Sequence, residues 1–292
     1  MTPDLLILGC GYVGTALARH YRTLTPARGI TATTTTPARL GELGAIADQA
    51  LVLPSSDSAQ LAAQLHRHRQ LLVSVGAKRG TPYADTYLQT AIALTQALAN
   101  NDSIEQIVYT SSYSVYGDRQ GAWVTEDSPL PADICPGIDL SASDPSSSTN
   151  AQVLAATEAR LLALATPQRR VCIFRLGGIY GPGRELEKIF AFAAGKTRPG
   201  DGSDASNWVH RDDIVGAIAF AFEHPLQGIY NLVNDQPLDS KVLLDWVCDR
   251  HQLAPISWDP SQSSLRPYNA RVSNQKLRAA GYQFRHPSIL AG

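Results

Sequence analysis

The chain has no excess of either charge: 25 Lys and Arg stand against 26 Asp and Glu, a formal net charge of −1 over 292 residues. Without a basic surplus there is no electrostatic footprint for a phosphate backbone, so a nucleic-acid partner is not expected. Long runs of one sign are missing too, and 44% hydrophobic with 17% charged residues is a globular balance, not a disordered one. Cysteine is scarce and scattered. Cys10, Cys135, Cys172 and Cys248 form neither a CxxC pair nor a cluster with histidine, so the sequence offers no metal site and no disulfide framework, and the four read as reduced thiols. No basic stretch precedes the first apolar run, and LLILG is too short to span a bilayer. The N-terminus reads as a buried strand, and the expectation is a cytoplasmic protein with no membrane partner.

What is present is an alternation. LLILG, GITATTT, ALVLP, QLLVSVG and IEQIVYTSS are short β-rich runs, and RRVCIFR is a sixth. Amphipathic segments separate several of them: Tyr12 to Tyr21, a helix started by Pro37, and Tyr83 to Asn100. Strand traded for helix in this way predicts an α/β fold, a doubly wound parallel sheet of the Rossmann type. Between Gly117 and Thr149 the periodicity stops, and Pro129, Pro131, Pro136 and Pro145 break a Ser- and Asp-rich stretch that reads as a long loop. Helical spacing returns from Ala151 to Ala165. Later come helices at Glu185–Ala194, Asp212–Glu223 and Ser240–His251, with a strand GIYNLV. The expected division is a dinucleotide-binding part, residues 1–176, and a smaller substrate-binding part, residues 177–292, interleaved with it.

The chemistry begins at GCGYVG. Gly9, Gly11 and Gly14 follow the strand LLILG and open a helix, the context in which the first glycine permits a tight turn, the second lets backbone approach a pyrophosphate, and the third packs helix on strand. Tyr12 and Val13 carry the first helical N–H groups, which favour an anion. Ser74, Val75 and Gly76, ending QLLVSVG, are placed with the same cofactor. The plain alternative is a glycine-rich turn with no ligand. An NAD site usually presents a carboxylate some twenty residues on, but here the second strand ends in Thr33, Thr34, Thr35 and Thr36. Thr34 and Thr35 would not repel a 2′-phosphate and Arg39 could pair with it, so NADP(H) is favoured, with NAD(H) possible. The competing explanation is that the threonines are merely good strand formers and Arg39 an ordinary helix-start arginine.

TSSYSVYGD, from Thr110 to Asp118, strongly resembles the serine-bearing segment of the NAD-dependent epimerase/dehydratase family, the extended short-chain dehydrogenases/reductases. FRLGGIYGPGR (Phe174 to Arg184), NWVHRDDIVGAI (Asn207 to Ile218) and GIYNLVNDQPL (Gly228 to Leu238) resemble later family segments, in the expected order. The resemblance implies a Ser–Tyr–Lys group in which Ser and Tyr bond the substrate oxygen and Lys tunes the Tyr. Ser112 matches the serine, with Ser111 beside it. Counting back from Glu158 places the Tyr and Lys positions at Asn150 and Leu154, so the YxxxK pair is missing and the chain looks like an atypical member. Tyr116 and Tyr113 are candidate replacement proton donors, against the simpler reading of packed aromatics. His210, Asp212 and Asp213 read as a helix start, with Asp as cap, and His210 has no second ligand nearby in sequence, so no metal is expected.

The expectation is therefore an NAD(P)-binding oxidoreductase or epimerase/dehydratase-like protein acting on a small polar substrate, nucleotide sugars among the candidates. The alternative is a non-catalytic NADP(H)-binding sensor or scaffold of the same fold. The sequence names neither the substrate nor the oligomeric state.

Overall fold

Strand β1, Leu5–Leu8, is apolar at every position because every position is buried, the mark of a strand covered on both faces. The computed structural model describes residues 4–134, 149–264, 266 and 268–291. Its central sheet has seven strands: β1, then β2 (Ile30–Thr34), β3 (Gln49–Val52), β4 (Gln70–Val73), β5 (Gln106–Ser112), β6 (Arg170–Leu176) and β7 (Gly228–Leu232). They lie in the order β7-β6-β5-β4-β1-β2-β3. The pairs β1–β2, β1–β4, β2–β3 and β4–β5 are parallel, with Leu5 beside Ile30 and Gln70, and Ile7 beside Ala32 and Leu72. The reversal of strand order at β1 and β4 makes this a doubly wound sheet, the fold class expected from the alternation.

Two compact units divide the chain. The first comprises residues 4–111, 132–134, 149–174 and 215–229 of the described chain. Its helices are α1 (Tyr12–Leu24), α2 (Leu40–Gly44), α3 (Ser58–Leu65), α4 (Gln89–Ala97), entered through a wider turn at Ala84–Leu88, and α5 (Asn150–Leu162). Its main core is Leu6, Leu8, Leu61, Leu65, Leu71, Val73, Leu94, Ile107, Tyr109, Leu161, Val171 and Ile173. Helix α3 has no counterpart in the sequence reading. Its signal was short but legible: Asp57 caps it by accepting the Gln60 N–H, and Leu61 and Leu65, one turn apart, are its buried face. Helix α5 starts at Asn150, one residue before the expected Ala151, because Thr149 and Gln152 form a reciprocal capping box there.

The second unit comprises residues 112–131, 175–214 and 230–291 as described. It is built from small strand pairs: Trp208–His210 with Gly178–Tyr180, Ala205–Ser206 with Leu238–Asp239, Ser257–Asp259 with Thr197–Pro199, and Arg271–Val272 with Trp123–Val124. Tyr180, Leu186, Leu243, Val247 and Ile289 form one apolar cluster, and Ala193, Leu244, Cys248 and Ile256 another. The stretch read as loop thus contains Trp123–Val124, a strand whose partner lies far along the chain and left no local trace. Cys135, Pro136 and Pro145 lie outside the described residues. Helix α6, Leu186–Phe190, continues as a tighter turn through Ala193, while α7, Arg211–Glu223, passes from this unit into the first at Val215.

Candidate functional site

In the first unit, the turn after β1 is shaped by what surrounds each glycine. Gly9 has φ +83°, and a Cβ there would lie 2.8 Å from the Val75 Cα and 2.9 Å from the Ser74 oxygen. Nothing larger fits, and the conformation is one that side chains resist. A Cβ on Gly14 would lie 2.8 Å from Cγ2 of Ile7, so helix and strand are at close approach there. Gly11 is different. A Cβ there would meet nothing nearer than the Gly9 oxygen at 4.0 Å, so its missing side chain leaves open space that the protein itself does not use. The first intrahelical bond of α1 is Thr15 N to Gly11 O at 2.9 Å, the Gly11 N–H donates to the Gly9 carbonyl at 2.8 Å, and among the described residues no side chain caps the helix, which therefore starts beside that space.

Around the turn, Gly9 N donates to the Thr33 hydroxyl (3.1 Å) and Cys10 N to the Thr33 carbonyl (2.7 Å), tying the loop to β2. Val13 is buried and Tyr12 half-buried. Ser74 and Val75 are half-buried at the end of β4, where Ser74 accepts from Thr110 (3.2 Å), and Gly76 is exposed. Thr35 is exposed, but Thr34 is buried and its hydroxyl accepts the Thr36 N–H (3.1 Å), so of the two threonines only Thr35 faces outward. Arg39 reaches back across the turn to the Cys10 carbonyl (2.6 Å) and the Thr15 hydroxyl (3.2 Å). It also grips Glu42 side-on at 3.1 and 3.2 Å, and those hydrogen bonds hold the Glu42 carboxyl below its usual range. The end of β2 carries no carboxylate, as its threonines imply; the carboxylate that meets Arg39 is Glu42, three residues further on in the next helix.

Still in the first unit, Ser111 is buried and donates to Glu158 at 2.6 Å; Glu158 is itself 3% exposed. Of the positions where the family pattern wants Tyr and Lys, Asn150 is an exposed first helical residue and Leu154 is packed in the core.

In the second unit, Ser112 is half-buried and its oxygen accepts the Ser114 N–H at 3.2 Å, capping the tight turn Tyr113–Tyr116. Its own O–H has no acceptor among the described residues, whereas that of Ser111 is spent on Glu158. Tyr116 is fully buried, its hydroxyl donates to Asn231 Oδ1 at 2.8 Å, and its ring lies 4.8 Å from the Arg175 guanidinium carbon. Burial pushes its phenol up, against the pull of Arg175. Asn231 is held by two further bonds, its N–H to Glu126 (2.6 Å) and its amide nitrogen to the Ser273 carbonyl (3.0 Å). Tyr113 accepts from Arg266 at 3.1 Å and meets the Tyr268 ring edge-on; burial raises its phenol too, and Arg266 opposes the rise.

The His210 segment corrects the expectation of an aspartate cap. His210 Nδ1 accepts the Asp212 N–H at 3.2 Å, the Asp212 carboxylate pairs with Arg211, and Asp213 faces elsewhere. Asp213 is wholly buried and accepts the N–H groups of Arg285 (2.6 Å) and His286 (3.0 Å), while Tyr282 donates to its carbonyl (2.8 Å). His286 also supplies the neighbour that His210 lacked in sequence: their ring centroids are 3.7 Å apart, and with Asp212 they offer ligand atoms within 4.8 Å of one another. The rings are tilted at 37° to each other, and Nδ1 of His210 is already an acceptor for the chain.

A doubly wound sheet with a Gly-x-Gly-x-x-Gly turn between its first strand and helix, and a serine-bearing turn after its fifth, defines the extended short-chain dehydrogenase/reductase class. The chain belongs to the NAD dependent epimerase/dehydratase family, whose model matches residues 5–233. Protein YeeZ of Escherichia coli is 38% identical over 164 residues, 56% of this chain and 52% of that protein, so the chain spans about half the length of the curated relatives it matches. Two solved structures share the fold over nearly the whole chain. DesIV, the dTDP-glucose 4,6-dehydratase of Streptomyces venezuelae, with NAD and TYD bound, has a TM-score of 0.74 at 20% identity, covering 99% of this chain and 94% of its own. Human epimerase family protein SDR39U1, with NADPH, has a TM-score of 0.71 at 17% identity, covering 98% and 97%. Among the described residues no helix is long and apolar enough to cross a membrane.

Proposed function

We propose that this chain binds a nicotinamide dinucleotide at Gly9, Gly11, Tyr12, Val13 and Gly14, with Ser74, Val75, Gly76, Thr35 and Arg39 around it, and acts as an oxidoreductase or epimerase/dehydratase-like protein on a small polar substrate. The observation that carries this is the contrast among the three glycines: two are required by the protein's own packing, and the third leaves a space beside helix-start amides that a pyrophosphate would fill. Family membership and the dinucleotides bound by the two solved relatives support the same reading. NADP(H) is the favoured form, on the strength of Arg39 and the exposed Thr35.

When bound, the nicotinamide would exchange hydride with substrate. This chain's part would be to orient the reacting oxygen through the Ser112 O–H, which has no acceptor of its own among the described residues. The functional division is residues 1–176 chiefly for the dinucleotide and 177–292 chiefly for the substrate, the two interleaved so that Ser112 serves the substrate, and Cys10, Cys172 and Cys248, buried and not disulfide-bonded, fit a cytoplasmic setting.

The second reading, a dinucleotide-binding sensor or scaffold, is favoured by Asn150 and Leu154 and by Tyr116, whose proton is committed to Asn231. Titration with NADPH and NADH, followed by turnover assays on carbonyl and nucleotide-sugar compounds, separates the two. Binding with consumption fits the first; binding without consumption of cofactor across the panel fits the second. Absence of dinucleotide binding overturns both.

A further inference from the structure

The Arg39 guanidinium has five N–H groups, and four are engaged inside the protein. Nε donates to one Glu42 oxygen and Nη2 to the other, Nη2 also to Thr15, and Nη1 to the Cys10 carbonyl. Among the described residues one hydrogen on Nη1 is left for an incoming anion. The side-on edge of the fork, the geometry in which arginine best matches a carboxylate or phosphate, is already filled by Glu42. The pair is accessible to a ligand, with the Arg39 and Glu42 side chains 30% and 46% exposed. Glu42 is ionised at neutral pH, so a phosphate approaching Arg39 also approaches a negative charge.

We infer that Glu42 is a specificity-determining residue for the dinucleotide: it occupies the guanidinium edge that a 2′-phosphate needs and sets its own charge against that phosphate. The inference rests on the reading of the Gly9–Gly14 turn as the dinucleotide site. It makes the Arg39–Glu42 pair a balance. The arginine attracts the 2′-phosphate and the glutamate discounts the attraction, leaving a preference for NADP(H) that is small. An unphosphorylated ribose brings no charge and is indifferent to the pair, so a change at Glu42 moves one dinucleotide and not the other.

The test is calorimetric titration of NADPH and NADH into the wild-type chain, Glu42→Gln, Arg39→Ala and the double variant, with circular dichroism to verify the fold. Glutamine is isosteric and keeps an acceptor for Arg39 while removing the charge. Glu42→Gln should tighten NADPH about tenfold and change NADH less than about twofold, a gain that shrinks as salt rises from about 0.05 to about 0.5 M. Arg39→Ala in the Glu42→Gln background should erase the gain. An unchanged NADPH to NADH ratio in Glu42→Gln, with Arg39→Ala still lowering it, overturns the role of Glu42 and leaves the dinucleotide reading standing. Failure of the wild-type chain to bind either dinucleotide overturns the reading of the turn, and the role of Glu42 with it.

Discussion

The turn after β1 and the turn after β5 differ in what they are made of. The first is chiefly a site of backbone: its shape follows from which glycines the chain needs for packing and which one it does not, and its turn is held by β1, α1, β2 and the end of β4. The second is a site of side chains. The state of Tyr113 and Tyr116 depends on Arg266 and Asn231, 153 and 115 residues away from their partners in sequence. A backbone site survives changes in everything but its glycines, whereas a side-chain site is redefined by each substitution at a distant partner. The same chain therefore keeps the family's cofactor turn while departing from its Tyr–Lys pair.

Substitutions can break that contrast or sharpen it. The largest effect is expected at Gly11: Gly11→Val places a side chain in the open space and should weaken dinucleotide binding by roughly a hundredfold or more while the far-ultraviolet spectrum is retained. Unaltered affinity in a folded variant would remove the backbone site from the comparison altogether. In the second turn the two adjacent serines should separate. Once a substrate is found, Ser112→Ala should lower kcat by about a hundredfold, the cost of one positioned donor. Ser111→Ala should instead leave turnover close to wild type and cost about 1–3 kcal/mol in urea unfolding, because the buried Glu158 loses its hydroxyl donor.

Tyr116→Phe strips Asn231 of its donor and should likewise cost about 1–3 kcal/mol. A fall in kcat with little loss of stability would instead make Tyr116 the acid and the second turn a catalytic centre. The smallest effect concerns the scaffold of the first. His68 is buried, its Nδ1 donating to the Gln64 carbonyl (2.8 Å) and its Nε2 within hydrogen-bond distance of the Thr31 hydroxyl (2.9 Å). Burial lowers its pKa below the ordinary 6.5. As pH falls through 6.5 the unfolded chain takes up the proton first, so stability should decline below 6.5 by at most about 1.4 kcal/mol per pH unit, and above it His68 should contribute no slope. Urea unfolding from pH 5 to 8 would detect it, and His68→Gln should flatten the acid limb.

Much of the sheet could be read from the sequence because strands such as β1 and β4 are buried and nearly unbroken apolar runs. The glycine turn could be read because its spacing is local. What stayed hidden was hidden for one physical reason. Asn231 under Tyr116, His286 against His210 and Arg271–Val272 beside Trp123–Val124 are contacts between segments with no periodic relation. Glu42 is the exception. Three residues from Arg39 at the start of a helix, it lies at a spacing that a helical pairing argument reaches.

Asp213 has a consequence for how the chain is made. Its carboxylate has no exposure in the finished protein and relies on N–H groups 72 and 73 residues further along. During synthesis α7 emerges well before those donors do, and until they arrive the carboxylate must stay hydrated, because an ion without partners resists leaving water. The beginning of α7 therefore cannot settle into its final surroundings while the chain is incomplete at Arg285. One aspartate makes the settling of α7 wait for the synthesis of Arg285 and His286.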